Sequence, residues 1–439
     1  MDSPELLITA RWIVPVEPAG QVLDQHALLI REGRIADLLP VAEAADRYPG
    51  TRRLDRPSHL LVPGLVNAHV HMPMTLFRGL ADDLPLQTWL EEHIWPAEQR
   101  WVGAEFVRDG SELAALEMIR GGTTCCQELY FFPAVAAEAA LVHGLRVMVG
   151  MIVIEQATPW ASTVEEYFEK GLAVHDRFKG NELIRTSFAP HAPYTVGDEA
   201  LARVRLLADE LECPVHMHVH ETAFEVASAV ETGGERPLAR LDRLGLVSPL
   251  LAAVHMTQLD DNEIRRVADA GASVVHCPES NLKLASGFCP VARLQEAGIN
   301  VALGTDGASS NNDLDMFSEM RSAALLGKAV AGDAAAVSAE TALSMATLNG
   351  ARAIGMGDEI GTLEVGKRAD LLCIDLDHPA TQPVHHPISQ LVYAASREQV
   401  SDVWIGGEHL LNEGEFTRAR AADVTERARG WQRRLEAHT

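Results

Sequence analysis

Two histidines separated by one residue, His69 and His71 in NAHVH, follow the apolar run LLVPGLV. Residues two apart on an extended strand project to the same face, so both imidazoles would meet one point. Paired imidazoles at a strand end suit a borderline divalent ion such as Zn²⁺ or Fe²⁺. Taken alone, an H-x-H pair also arises where a histidine only satisfies a hydrogen bond. Further along, HMHVHE alternates His216, His218 and His220 and ends in Glu221. Its plain reading is a polar strand end with solvated histidines. The spacing of His218 and Glu221 also lets one bind a metal while the other faces a substrate. A carboxylate beside a metal-activated water is the usual general acid–base arrangement. VHMT adds His255, and GTDGASSNN adds Asp306 among small residues that leave room for a ligand. A lone Asp after a strand is more often a helix N-cap. Histidines and a carboxylate spread over several separate strand ends argue instead for a metal-dependent hydrolase.

These residues need a scaffold that gathers strand ends. The segments LLVPGLVNAHVH, TTCCQEL, RVMVGMIVI, IRTSFAPH, PVHMHVHET, LAAVHMT, ASVVHCPES and NVALGTDGA read as strands, each followed by a stretch of helical character such as DNEIRRVADAG. Serial βα units predict an α/β fold, a closed (β/α)₈ TIM-like barrel with its site at the C-terminal strand ends. Short β-like runs before it (LLITARWIVPV, ALLIREGRIADLL) and after it (ADLLCIDLD, VSDVWIGGEHLL) predict a small β-sandwich built from both ends of the chain. The expected division is residues 1–60 and 365–439 for the sandwich, the latter with a terminal helix, and 61–364 for the barrel. The fourth strand reads SFAPHAPYT, with His191 where two-metal barrels often place a bridging lysine. One ion is therefore expected.

Composition narrows the classes. Hydrophobic residues make up 47% and charged residues 23%, an ordinary globular balance. A formal net charge of −25 repels a phosphate backbone, so nucleic-acid binding is not expected. The arginines from Arg418 to Arg434 are interleaved with acidic residues and read as a solvated terminal helix. MDSPELLITA lacks the basic and apolar regions of a secretory leader, and no run is long and apolar enough to span a bilayer. The six cysteines form no C-x-x-C pair. They read as buried thiols in a reducing cytoplasm.

With PGLVNAHVH, His218 to Glu221, VHMT and GTDGASSNN in view, the chain resembles the amidohydrolase superfamily. Within it, the chain is similar to 5-methylthioadenosine/S-adenosylhomocysteine deaminases, through FRGLADDLPLQTWL, APHAPYT, HCPESNLKLASG and ATLNGARAIG as well. The resemblance implies one divalent ion, Zn²⁺ with Fe²⁺ or Mn²⁺ as alternatives, on His69, His71, His218 and Asp306. It implies that Glu98 binds ribose hydroxyls, that His191 contacts the purine and that Trp89 walls it. Glu221 would move protons at the ring, His255 would orient the attacking water, and Asp306 would accept its proton. It also implies a small-molecule nucleoside as substrate and a homo-oligomer. Family members that handle S-adenosylhomocysteine can use arginines after the third strand for its carboxylate. Here no Arg occurs between Arg146 and Arg177, and VIEQATPWASTVEEYFE is apolar and acidic. A preference for the uncharged methylthio tail is expected. The competing readings are a guanine, oxidised-purine or cytosine deaminase, a triazine hydrolase, or a barrel that has lost its catalysis.

Overall fold

The computed structural model describes residues 5–437; the MDSP of the leader reading and the outermost ends of the two flanking segments lie outside the described residues. Strands β1 (Leu6–Ile13), β2 (Leu23–Arg31), β3 (Arg34–Pro40) and β4 (Arg52–Pro63) precede the barrel. The barrel strands are β5 (Leu65–His71), β6 (Thr123–Glu128), β7 (Arg146–Val153), β8 (Ile184–Pro190), β9 (Val215–Val219), β10 (Leu251–His255), β11 (Ser273–His276), β12 (Val301–Leu303) and β13 (Asp306–Gly307). Four more follow: β14 (Leu371–Asp375), β15 (Val400–Ile405), β16 (Glu408–Asn412) and β17 (Glu415–Phe416).

The barrel strands pair in parallel and in chain order, with helices between them. β6 and β7 are buried along their whole length, as parallel strands covered by helices on one side and barrel core on the other must be. The stretch DNEIRRVADAG forms the helix Asp261–Ala270, opened by a capping box of Asp260 and Glu263 and ended by Gly271 at φ +67°. The eighth strand is broken. β12 pairs with β11, β13 pairs with β5, and Gly304 and Thr305 lie between them. A side chain at Gly304 would put its Cβ 2.7 Å from the Cβ of His69, so only glycine lets the strand pass this close. Asn67 and Thr305 exchange hydrogen bonds of 2.7 and 3.0 Å across the closure.

The two ends of the chain share one eight-stranded sheet in the order β17-β16-β15-β14-β4-β1-β2-β3, antiparallel except for β1 with β4. Its hairpins β2–β3 and β15–β16 turn through Glu32–Gly33 and Gly406–Gly407. All four of these residues have positive φ, the mark of a type I′ turn. The sheet curls until these turns meet: Ala369 N donates to Gly33 O and Gly407 N to Ala369 O. Ile8, Ile13, Leu28, Leu371 and Trp404 fill the space so enclosed. Leu60–Pro63, read from the sequence as the start of the first barrel strand, instead complete β4 of this sheet. The chain changes sheets at Gly64, where a Cβ would fall 1.9 Å from Thr124 Oγ1.

Arg146, at the start of β7, joins the two sheets through a buried bidentate pair with Asp370 at 2.7 and 2.9 Å. The terminal helix Ala421–Glu436 buries Val424, Trp431 and Leu435, while Arg429 and Arg433 face solvent. Trp431 Nε1 donates to Asp109 Oδ2 at 2.9 Å and pins it to the helix Ala104–Arg120. All six cysteines are buried and unpaired. No helix among the described residues is long and apolar enough to cross a membrane.

Candidate active site

His69 and His71 leave the end of β5 with ring centroids 4.7 Å apart. Their Nε2 atoms each lie 3.2 Å from Asp306 Oδ1, and His218 Nε2 lies 3.3 Å from His69 Nε2. Potential ligand atoms of His69, His71, His218 and Asp306 fall within 4.8 Å of one another. Three imidazole nitrogens and one carboxylate oxygen suit a single zinc-like ion.

The surroundings fit that ion. His71 Nδ1 is hydrogen-bonded to the Leu129 carbonyl, and His218 Nδ1 to that of His191 at 2.7 Å. Each carbonyl accepts the Nδ1–H and so turns Nε2 inward. Asp306 Oδ2 accepts from Ser280 Oγ at 2.6 Å and Ser310 Oγ at 3.0 Å, while Oδ1, which also accepts from Gly307 N at 2.8 Å, faces the centre. Burial alone would raise the Asp306 pKa, yet His69 and His71 hold it well below the usual carboxylate range. The converse holds for His71: burial opposes its charge, but Asp306 lifts it to about 9. Burial instead pushes His69 down to about 4 and His218 well below the usual imidazole range.

Backbone strain gathers at the same rim. His220 (φ +53°), His255 (φ +74°), Met256 (φ +48°) and Asp306 (φ +61°) are all left-handed at or just beyond strand ends. Such residues cost about 1–3 kcal/mol each and cluster at functional sites.

A cavity of about 170 Å³ opens over the cluster. Its lining includes Trp89, Glu98, His191, Glu221 and His255 beside His71, His218 and Asp306. His69 alone of the residues singled out for the site lies beneath it, fully buried. Glu221 Oε2 stands 3.8 Å from His255 Nε2, and His255 Nδ1 is 2.8 Å from Asn281 Oδ1. Burial raises the Glu221 pKa, with the neighbouring His255 ring acting in the opposite direction. Glu98 is pushed up by burial to about 7, although Tyr130 donates a 2.6 Å hydrogen bond to its Oε1. His191 is pushed down by burial to about 4, with Nδ1 at 3.0 Å from Thr195 Oγ1. Trp89 is buried at the head of a π-helical turn, Trp89–Ile94, a wide turn of the kind frequent at functional sites.

Several supporting residues were not singled out from the sequence. Tyr130 follows β6, Ser280 and Asn281 follow β11 within HCPESN, and Ser310 follows β13 within GASSNN. Polar residues just past a barrel strand were the available signal.

Comparisons with known proteins bear on the family and the fold. A family model described as the amidohydrolase family matches residues 60–410. A 5-methylthioadenosine/S-adenosylhomocysteine deaminase of Teredinibacter turnerae is 49% identical over 98% of this chain and 97% of its own. A 5′-deoxyadenosine deaminase of Methanothermobacter thermautotrophicus is 41% identical over 95% of each chain. The crystal structure of an adenosine deaminase from Xanthomonas campestris with bound zinc superposes with a TM-score of 0.98, at 56% identity and 99% coverage of both chains.

Proposed function

The chain belongs to the amidohydrolase family, and we propose that it deaminates the adenine ring of 5′-methylthioadenosine and related adenosines to the inosine derivative and ammonia. One observation carries the reading: the four potential ligands converge at the barrel's C-terminal rim, where His71, His218 and Asp306 line one cavity together with Glu221 and His69 lies just beneath it. His69, His71, His218 and Asp306 would hold a divalent ion, which when bound would make a nucleophilic water available at neutral pH by lowering its pKa toward about 7.

The chain's own groups do the rest. Asp306 takes a proton from the attacking water as its oxygen bonds to C6 of the purine. Glu221, whose pKa is raised by burial, gives a proton to N1 and makes the ring a better electrophile. His255, steadied by Asn281, hydrogen-bonds the incoming oxygen. The proton gained by Asp306 goes to the amine, the C6–N bond breaks to release ammonia, and the remaining hydroxyl proton returns to Glu221 as the C6 carbonyl forms. Glu98, half-buried and hydrogen-bonded by Tyr130, receives the ribose hydroxyls, His191 contacts the purine, and Trp89 forms an apolar wall.

The methylthio tail is preferred over the homocysteine tail. Where the cavity opens it is lined by Gln156, Ala157, Thr158 and Pro159, and its lining includes no lysine or arginine among the described residues. The groove beyond holds Arg240 and Arg243, but both are paired with Asp198, and Arg243 also with Glu235. A carboxylate would have to displace these partners.

The test is a deamination assay on zinc-loaded protein, following loss of the adenine ultraviolet band. The panel holds 5′-methylthioadenosine, S-adenosylhomocysteine, adenosine, guanine and cytosine. Fast turnover of methylthioadenosine is expected, with a higher kcat/KM than S-adenosylhomocysteine. A clear preference for S-adenosylhomocysteine would remove the tail argument. Silence on every adenosine would remove the reaction.

A further inference from the structure

His216 belongs to β9, two residues before His218, and takes no part in the mechanism above. Its ring is fully buried, and its Nε2 lies 2.8 Å from Nδ1 of His69. Its own Nδ1 is buried without a hydrogen-bond partner among the described residues. The two rings are tilted by 31° with centroids 5.0 Å apart.

A neutral imidazole carries one proton, so a ring that offers Nε2 to an ion must carry it on Nδ1. For His71 and His218 the choice is made by backbone carbonyls, which only accept. The Nδ1 of His69 faces another imidazole, which can accept or donate. If His216 Nε2 accepts, His69 is fixed in the tautomer that presents Nε2 to Asp306 and His218. If His216 Nε2 donates, the His69 proton moves to Nε2 and one ligand is lost.

We propose that His216 is a positioning residue for the metal centre: its Nε2 accepts the Nδ1–H of His69 and holds that ring in its ligating tautomer. This rests on the metal-site reading above. His216 carries its own proton on the Nδ1 that lacks a partner. Nothing else among the described residues selects that tautomer, so the ion and the histidine pair select it together.

Zinc affinity, measured by competition with a chromophoric chelator and without substrate, tests this on the wild type, His216→Leu and His216→Gln. The glutamine carbonyl restores an acceptor near the position of Nε2. The leucine variant is expected to bind zinc about 10–100-fold more weakly, the usual effect of losing a partner behind a ligand, and the glutamine variant to recover most of that loss. Equal affinity in the leucine variant and the wild type overturns the proposal, as does a glutamine variant no better than leucine. A wild-type protein that bound no zinc would remove the metal reading itself, whatever His216 does. If His216→Leu does not fold, imidazole nitrogen NMR of the zinc-loaded wild type decides. Protonation at Nδ1 of both His69 and His216 is expected, and protonation at Nε2 of either overturns the proposal.

Discussion

Glu221 and His69 have different work, and single substitutions separate them. Glu221 lines the cavity without belonging to the ligand cluster. Glu221→Gln is expected to lower kcat by about 10²–10⁴-fold, the usual worth of general acid–base catalysis. Its zinc content, read by elemental analysis, is expected to match the wild type. Near-full turnover would disprove the proton-transfer role. By contrast, His69→Ala removes one of the convergent ligands and is expected to lose metal and activity together.

At the scale of elements, the segment carrying Trp89 and Glu98 reaches the cavity from outside the barrel wall. Asp82, ahead of it in the chain, is tied to Lys283 at 2.7 Å and to Asn312 at 2.9 Å. Lys283 ends the helix Pro278–Lys283 after β11, and Asn312 follows β13. The tie therefore fastens the segment to two strand-end loops of the site. Both partners are partly exposed, so Lys283→Ala is expected to change unfolding stability by less than about 1 kcal/mol. It is expected to raise KM for the nucleoside severalfold by loosening that segment. An unchanged KM would show that the segment is held by its apolar packing alone.

For the whole molecule, two buried ion pairs tie distant parts of the chain together. Arg146 and Asp370 are each only 1% exposed and hold the barrel against the terminal sheet. Asp370→Ala strands a guanidinium in that interface and is expected to cost about 3–5 kcal/mol in urea unfolding. A second pair, Arg56 with Asp402, joins β4 to β15 at 2.8 Å. Burial would raise the Asp402 pKa, but His409, Arg56 and Ser401 outweigh it and hold it well below the usual range. A carboxylate whose folded pKa is depressed stabilises the fold above its unfolded value, about pH 4, and loses that contribution as pH falls further. The unfolding midpoint of the wild type is thus expected to drop below about pH 4. Asp402→Asn is expected to start less stable and to show a shallower acid limb.

Much of this protein is written along the chain. The alternation of apolar runs with amphipathic helices set out the barrel, because each βα unit carries its own local period. His69, His71, His218, Glu221, His255 and Asp306 were legible because they stand at the ends of those runs, where a parallel barrel exposes polar groups. Other features needed the closed sheet. The partner of His69 is His216, 147 residues away, and Asp306 is held by Ser280, 26 residues before it. The break of the eighth strand at Gly304 depends on where His69 lies across the closure. Side-chain period follows from the chain's own geometry, so sequence determines which residues face inward. Which of them meet depends on the register of strands far apart in sequence, and only the wrapped barrel decides that.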